Sequence, residues 1–125
     1  MSLKILNTEK APGAIGPYSQ GTQAGNLVFT SGQLPLNPAT GELESDIRTA
    51  TKQSLENIKN ILESAGSSMD KIVKTLIFLR DMNDFAAMNE VYGSYFPSNP
   101  PARSAVQIAR LPKDAIIEIE AIALV

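Results

Sequence analysis

Between Asp46 and Ala65 the apolar and small residues return with the spacing of one helical face: Ile47, Ala50, Ser54, Leu55, Ile58, Ile61, Leu62 and Ala65. That period predicts an amphipathic helix, with Ser45 as its N-cap and Gly66 as the left-handed residue that stops it. A second helical pattern runs through "DMNDFAAMNEVYGSYF", begun by an Asp81 or Asn83 cap and ended by Pro97. The remaining segments read as strands and loops. "KIL" is a short strand near the N-terminus, and "SQGTQAGNLVFTSGQ" is a hairpin turning at Gly25-Asn26. "KIVKTLIFLRD", "RSAVQIAR" and "AIIEIEAIALV" supply three more strands, the last two joined by "LPKD". The order βββαβαββ predicts an α/β fold of the α+β kind, a mixed sheet carrying two helices on one face.

Two helices cover only one face of such a sheet. Yet the strand after the first helix is apolar on both sides, with Val73, Ile77 and Leu79 on one and Leu76 and Phe78 on the other. A strand of this pattern needs cover on both faces, and in a short chain another subunit supplies it most easily. A homo-oligomer is expected.

Composition narrows the chemistry. The chain of 125 residues reads as one domain, residues 1–125, with 43% hydrophobic and 19% charged residues, as in an ordinary globular protein. A net charge of −2, a pI near 5.1 and eleven scattered Lys and Arg give no footprint for nucleic acid or an anionic membrane. The absence of Cys and His excludes disulfides, thiolate nucleophiles, Ser-His triads and nearly all zinc sites. No metal-ligand spacing or phosphate-binding glycine loop appears. The N-terminus "MSLKILNTEKAPG" lacks the features of a signal peptide, and no apolar run approaches membrane-spanning length. A cytoplasmic location is expected.

Six positions stand out against this background. Glu120 shares a strand face with Ile122 and Leu124, where a carboxylate needs a partner or its pKa rises. Arg103 follows two prolines, and its face continues through the small Ala105, leaving space beside a guanidinium that can grip a carboxylate bidentately. Asn89 falls inside the aromatic stripe Phe85, Tyr92 and Phe96, where a buried amide must find partners. Ser31 and Gly32 close the hairpin as a hydroxyl and an unhindered N–H, donors suited to an anion or a carbonyl. Tyr18 is an aromatic on the loop "AIGPYSQG". Each has an ordinary structural role available: an ion pair of Arg103 with Glu118 or Glu120, a loop brace for Asn89, a strand end at Ser31, plain packing for Tyr18. Together they suit hydration or hydrolysis of a small carboxylate-bearing molecule that is already electrophilic.

"AIGPYSQG", "FTSGQLPLNPATGE", "QSLENIKNILESAG", "DMNDFAAMNEVY", "PPARSAV" and "RLPKDAIIEIEAIA" occur in order over nearly the whole chain. In this the sequence resembles the RidA (YjgF) family of enamine/imine deaminases. The resemblance implies a chorismate-mutase-like fold, a homotrimer with clefts between subunits, and hydrolysis of 2-aminoacrylate and related 2-imino acids to 2-keto acids and ammonia without a cofactor. By the same resemblance Arg103 holds the substrate carboxylate and Glu120 positions or activates water. Tyr18, Ser31, Gly32, Asn89 and Ala105 match residues lining the cleft. Ala105 stands where many members carry Cys. A trimeric sensor that binds keto or amino acids without turnover is the alternative. A ribonuclease, also attached to this family, fits poorly with an acidic chain that has no His.

Overall fold

The computed structural model describes residues 2–125. Eight main elements follow in the order expected: β1 Leu3–Leu6, β2 Gly21–Ala24, β3 Leu27–Thr30, α1 Ile47–Ser64, β4 Ile72–Leu79, α2 Phe85–Tyr95, β5 Ala102–Gln107 and β6 Ile117–Leu124. They form one six-stranded sheet in the order β1-β2-β3-β6-β4-β5. Only β4 and β5 pair in parallel, joined by the crossover helix α2, and every other pair is antiparallel. The hairpin turns at Gly25-Asn26, where Ala24 pairs with Leu27 and Gly25 takes φ +60°.

Helix α1 buries Ala50, Ser54, Leu55, Ile58, Ile61 and Leu62 against the sheet. Its N-cap is Asp46 and not Ser45. The Asp46 carboxylate accepts from the N–H groups of Arg48 and Thr49, both at 3.1 Å, so a charged cap meets the positive end of the helix. At the other end Gly66 takes φ +82° and closes the helix as expected. Asp81 accepts from the N–H of Asn83 at 2.9 Å and begins a single 3-10 turn that runs on into α2.

The parity of β6 divides the sheet cleanly. Ile117, Ile119, Ala121 and Ala123 point under the helices and are buried, while Glu118, Glu120, Ile122 and Leu124 point to the other face. That second face carries Leu3, Ile5, Phe29, Val106 and Leu124, each 37 to 60% exposed in the single chain. Their registers make them neighbours, since Ile5 pairs with Thr22, Thr22 with Phe29 and Phe29 with Ile122. This is the face for which the strand pattern calls for a second cover.

One strand departs from simple alternation. Ile72 is buried and Val73 is exposed, so Val73 does not share the face of Ile77 and Leu79. The register slips between Ile72 and Lys74, and the extra residue of this irregularity turns Val73 out.

Candidate active site

The residues singled out from the sequence fall into two groups on opposite faces. Arg103 on β5 pairs with Thr75, and Thr75 pairs with Ala121, so all three lie in one rank on the helix-covered face. There Arg103 Nη1 donates to Asn89 Oδ1 at 2.7 Å. Its guanidinium carbon lies 4.9 Å from the centre of the Tyr92 ring and 5.5 Å from that of Phe85. Tyr92 is itself fixed, its hydroxyl 2.7 Å from Thr75 Oγ1 in the core. Burial raises the Tyr92 pKa, against the smaller opposing effects of the Thr75 hydrogen bond and the Arg103 charge.

Asn89 therefore braces an arginine, and the aromatic stripe of α2 forms the bed on which a flat cation rests. Ala105, two residues on, pairs with Ile77 and packs partly buried against the core. Because β5 is the edge strand, this cationic group sits at the rim of the sheet.

The second group surrounds a cavity of about 580 Å³. Tyr18, Ser31, Gly32, Lys113 and Glu118 line it, with Ile15, Leu34 and Leu36 among its apolar walls. Gln20 holds the segment before Tyr18, accepting from the Thr8 N–H at 2.7 Å and donating to the carbonyls of Thr8, Ala11 and Pro12. Asn57 does the same for the wall beyond, donating to the carbonyls of Leu34 and Leu36 at 3.2 and 2.9 Å. The cavity is thus shaped by two amides, one buried in its own wall and one on α1.

Ser31 differs from expectation. Its hydroxyl donates to the Ser19 carbonyl at 2.5 Å, so it offers the cavity lone pairs and not a proton. The Gly32 N–H makes no hydrogen bond among the described residues and remains the available donor. Glu118 lies directly against Gly32, and a Cβ there would come within 2.6 Å of the Glu118 carboxyl carbon and Oε1. Burial first, and the neighbouring Glu120 carboxylate second, raise the Glu118 pKa.

No ion pair joins Arg103 to Glu118 or Glu120, since the described residues form ion pairs only at Arg48–Glu90 and Arg110–Asp114, on the surface. Opposite faces forbid it. Glu120 lies on the open face opposite Leu76 and two residues from Glu118, and it has no side-chain partner among the described residues. No cluster of His, Cys, Asp and Glu suited to a metal occurs among the described residues, and no described helix is long and apolar enough to cross a membrane.

Over residues 8–125 the chain matches the family described as Endoribonuclease L-PSP. It belongs to that family, the one reached through the RidA (YjgF) resemblance. It is 52% identical over 124 residues to the 2-iminobutanoate/2-iminopropanoate deaminase of Escherichia coli K12, covering 97% of each. A RutC family protein of Pyrococcus abyssi is 54% identical over 124 residues, with 98% of each covered. The solved structure of E. coli TdcF with bound serine superposes with a TM-score of 0.95 at 52% identity, covering 98% of each chain. Such likeness to the RidA relatives fixes the chorismate-mutase-like α/β fold.

For this RidA-family chain, three residues of the site escaped sequence reasoning. Glu118 carried a signal, since it shares the alternate face of Glu120. Asn57 did too, as an amide beside Ser54 and Ile58 on an apolar stripe. Gln20 carried none, because its partners are carbonyls of a loop whose path periodicity does not describe.

Proposed function

We propose that the protein is a cofactor-independent deaminase that hydrolyses reactive 2-enamino and 2-imino acids to 2-keto acids and ammonia, in clefts shared between copies of the chain in a homotrimer. The observation that carries this reading is the likeness, 52% over 124 residues, to the E. coli protein named for that reaction. The geometry supplies means. Arg103 offers a stacked guanidinium with one donor committed to Asn89 and the rest of its fork unpaired among the described residues. Glu118, Glu120 and the Gly32 N–H lie around or beside the cavity on the other face.

Arg103 of one copy takes the substrate carboxylate and fixes the imine carbon over the cavity face of the next. Glu120 draws a proton from water as the oxygen attacks that carbon. The carbinolamine then collapses to the ketone and ammonia. Imines hydrolyse unaided, so the protein needs to lower the barrier by less than the usual span of about 8 to 23 kcal/mol. Orientation and carboxylate catalysis are sufficient groups for that task.

The exposed apolar face supports the trimer, because an uncovered Phe29, Leu124 and Val106 call for a partner surface. A second reading is favoured by one observation: a relative, TdcF of E. coli, was solved with serine bound, and serine is no imine. Under that reading the trimer senses small amino or keto acids without turnover. RNA cleavage, which the family description names, is disfavoured by the acidic pI and by the lack of His.

A coupled assay separates these readings. Threonine dehydratase generates 2-iminobutyrate in the presence of semicarbazide, and release of 2-ketobutyrate is followed. Acceleration by wild type and none by Arg103→Ala supports the deaminase. No acceleration by either, with saturable amino acid binding, supports the sensor.

A further inference from the structure

Lys113 sits in a tight turn that its own side chain does nothing to hold. It takes φ 58° and ψ 20°, and Asp114 takes φ 55°, so two successive residues other than glycine lie in the left-handed region. Asn-Gly would turn this way at less cost. For Asp114 the compensation is visible. Its carboxylate accepts from Arg110 Nε at 2.8 Å, its carbonyl accepts from Arg80 Nη1 at 3.2 Å, and its N–H donates to the Leu111 carbonyl at 3.1 Å. The Lys113 side chain has no ion pair among the described residues and is exposed. Backbone held in such a conformation by its neighbours gathers at functional sites.

What the turn achieves is a charge on the cavity wall. Lys113 is the one cation among the described residues that line the cavity. The other polar groups there are largely committed: Gln20, Ser31 and Gln33 donate to carbonyls of the chain. Glu118 lines the same cavity without pairing with Lys113, and the raised pKa of its carboxyl weakens any claim on the ammonium. At about 580 Å³ the cavity is in the range that holds a drug-sized ligand, and a short alkyl imino acid leaves most of it empty.

We propose that Lys113 is a specificity-determining residue that receives a second, side-chain carboxylate, so that the site takes dicarboxylic 2-imino acids. The inference rests on the deaminase reading for the reaction and extends it to a further substrate class. Arg103 of a neighbouring copy grips the carboxylate beside the imine carbon, as in the shorter substrates. The distal carboxylate reaches along the cavity to the Lys113 ammonium. A compact charge on a flexible stem suits that end of the molecule, because it follows side chains of different length. The planar fork of Arg103 suits the other end, where one geometry is required. The chemical steps are unchanged.

The test compares two substrates in wild type, Lys113→Met and Lys113→Glu, with folding checked by circular dichroism. An L-glutamate oxidase generates 2-iminoglutarate and a broad L-amino-acid oxidase generates 2-iminobutyrate, each with semicarbazide competing, and keto acid release is followed. Methionine keeps the apolar stem without the charge. Wild type is expected to turn over both. The ratio of kcat/KM for 2-iminoglutarate to that for 2-iminobutyrate is expected to fall about tenfold in Lys113→Met and further in Lys113→Glu. A loss common to both substrates leaves that ratio unmoved and overturns the inference. Wild type that hydrolyses 2-iminobutyrate and ignores 2-iminoglutarate also overturns it, with the deaminase reading intact. Calorimetric titration with 2-ketoglutarate and 2-ketobutyrate needs no turnover. If wild type hydrolyses neither imine but binds 2-ketoglutarate about tenfold more tightly than Lys113→Met does, the deaminase reading fails and the second-carboxylate site stands. Neither turnover nor Lys113-dependent binding overturns both.

Discussion

Arg103 and Glu120 lie on opposite faces of the same sheet, one residue rank apart, with β4 between their strands. Strand spacing puts their backbones about 10 Å apart, and the sheet itself stands between the side chains. One substrate molecule cannot touch both within one copy of the chain. Under the proposed mechanism the guanidinium at the edge strand and the carboxylate on the open face can act on one molecule only across an interface. An uncovered apolar face on the same side as Glu120 provides the surface for one.

Assembly and activity are therefore expected to fail together. Phe29→Lys or Leu124→Lys places a charge in the apolar patch formed by β1, β3 and β6. Sedimentation is expected to show monomers, and the coupled assay to show loss of turnover at the same protein concentrations. A fully active monomer would contradict the shared site.

Arg103→Ala is expected to remove activity, and Arg103→Lys to retain little, since a point charge lacks the fork and stacks less well on Tyr92. Asn89→Ala leaves the charge but frees the Nη1 group now bonded at 2.7 Å. Its KM is expected to rise several-fold with a smaller change in kcat, which steady-state kinetics would read directly.

Gly32→Ala tests the seat of Glu118. The added Cβ meets the far end of a flexible side chain, so the fold accommodates it by moving that carboxyl. Thermal stability is expected to change by less than about 1 kcal/mol while turnover drops by tenfold or more. Equal losses of both would mean that the residue matters to the backbone and not to the site.

Two buried polar residues on α1 should behave oppositely. Asn57→Ala removes the amide that holds the carbonyls of Leu34 and Leu36, and is expected to cost about 2 kcal/mol. Ser54 Oγ is buried without a hydrogen-bond partner, so Ser54→Ala is expected to be neutral or stabilising. Thermal melts of the two variants decide the point.

The contrast between α1 and β5 shows what the sequence made legible. The stripe from Ile47 to Ala65 specifies a helix and its buried face because the helical period is local. The parity of β6 likewise places Glu120 with Ile122 and Leu124. Whether Arg103 shares that face depends on how β5 registers on β4 and β4 on β6, which no single strand's alternation encodes. The ion pair weighed as an ordinary role for Arg103, with Glu118 or Glu120, is ruled out for that reason. Ser45 and Asp46 are adjacent and both able to cap, and the backbone chose the carboxylate. Val73 was misplaced by an irregularity in register. The Ser31 proton went to a carbonyl across the loop, a partner that only the folded chain brings near.

Stability should also carry a signature of Glu118. Its folded pKa is raised above the unfolded value, so the folded state holds the proton more tightly. The associated stabilisation is present below the ordinary carboxylate range and is lost as pH rises through the folded pKa. Glu118→Gln is expected to melt higher than wild type at neutral pH and to lose that advantage in acid. Parallel melts at several pH values would show a gap that closes on acidification, and a constant gap would contradict the sign.

The shared cleft is tested most directly by mixing two inactive proteins. Arg103→Ala and Glu120→Gln are unfolded together in equal amounts, refolded so that subunits redistribute, and assayed for 2-ketobutyrate release. If each site takes Arg103 from one copy and Glu120 from its neighbour, random cyclic assembly restores about a quarter of wild-type turnover. If the mixture stays at the level of the two variants alone while wild type refolds with full activity, the two residues do not act across an interface.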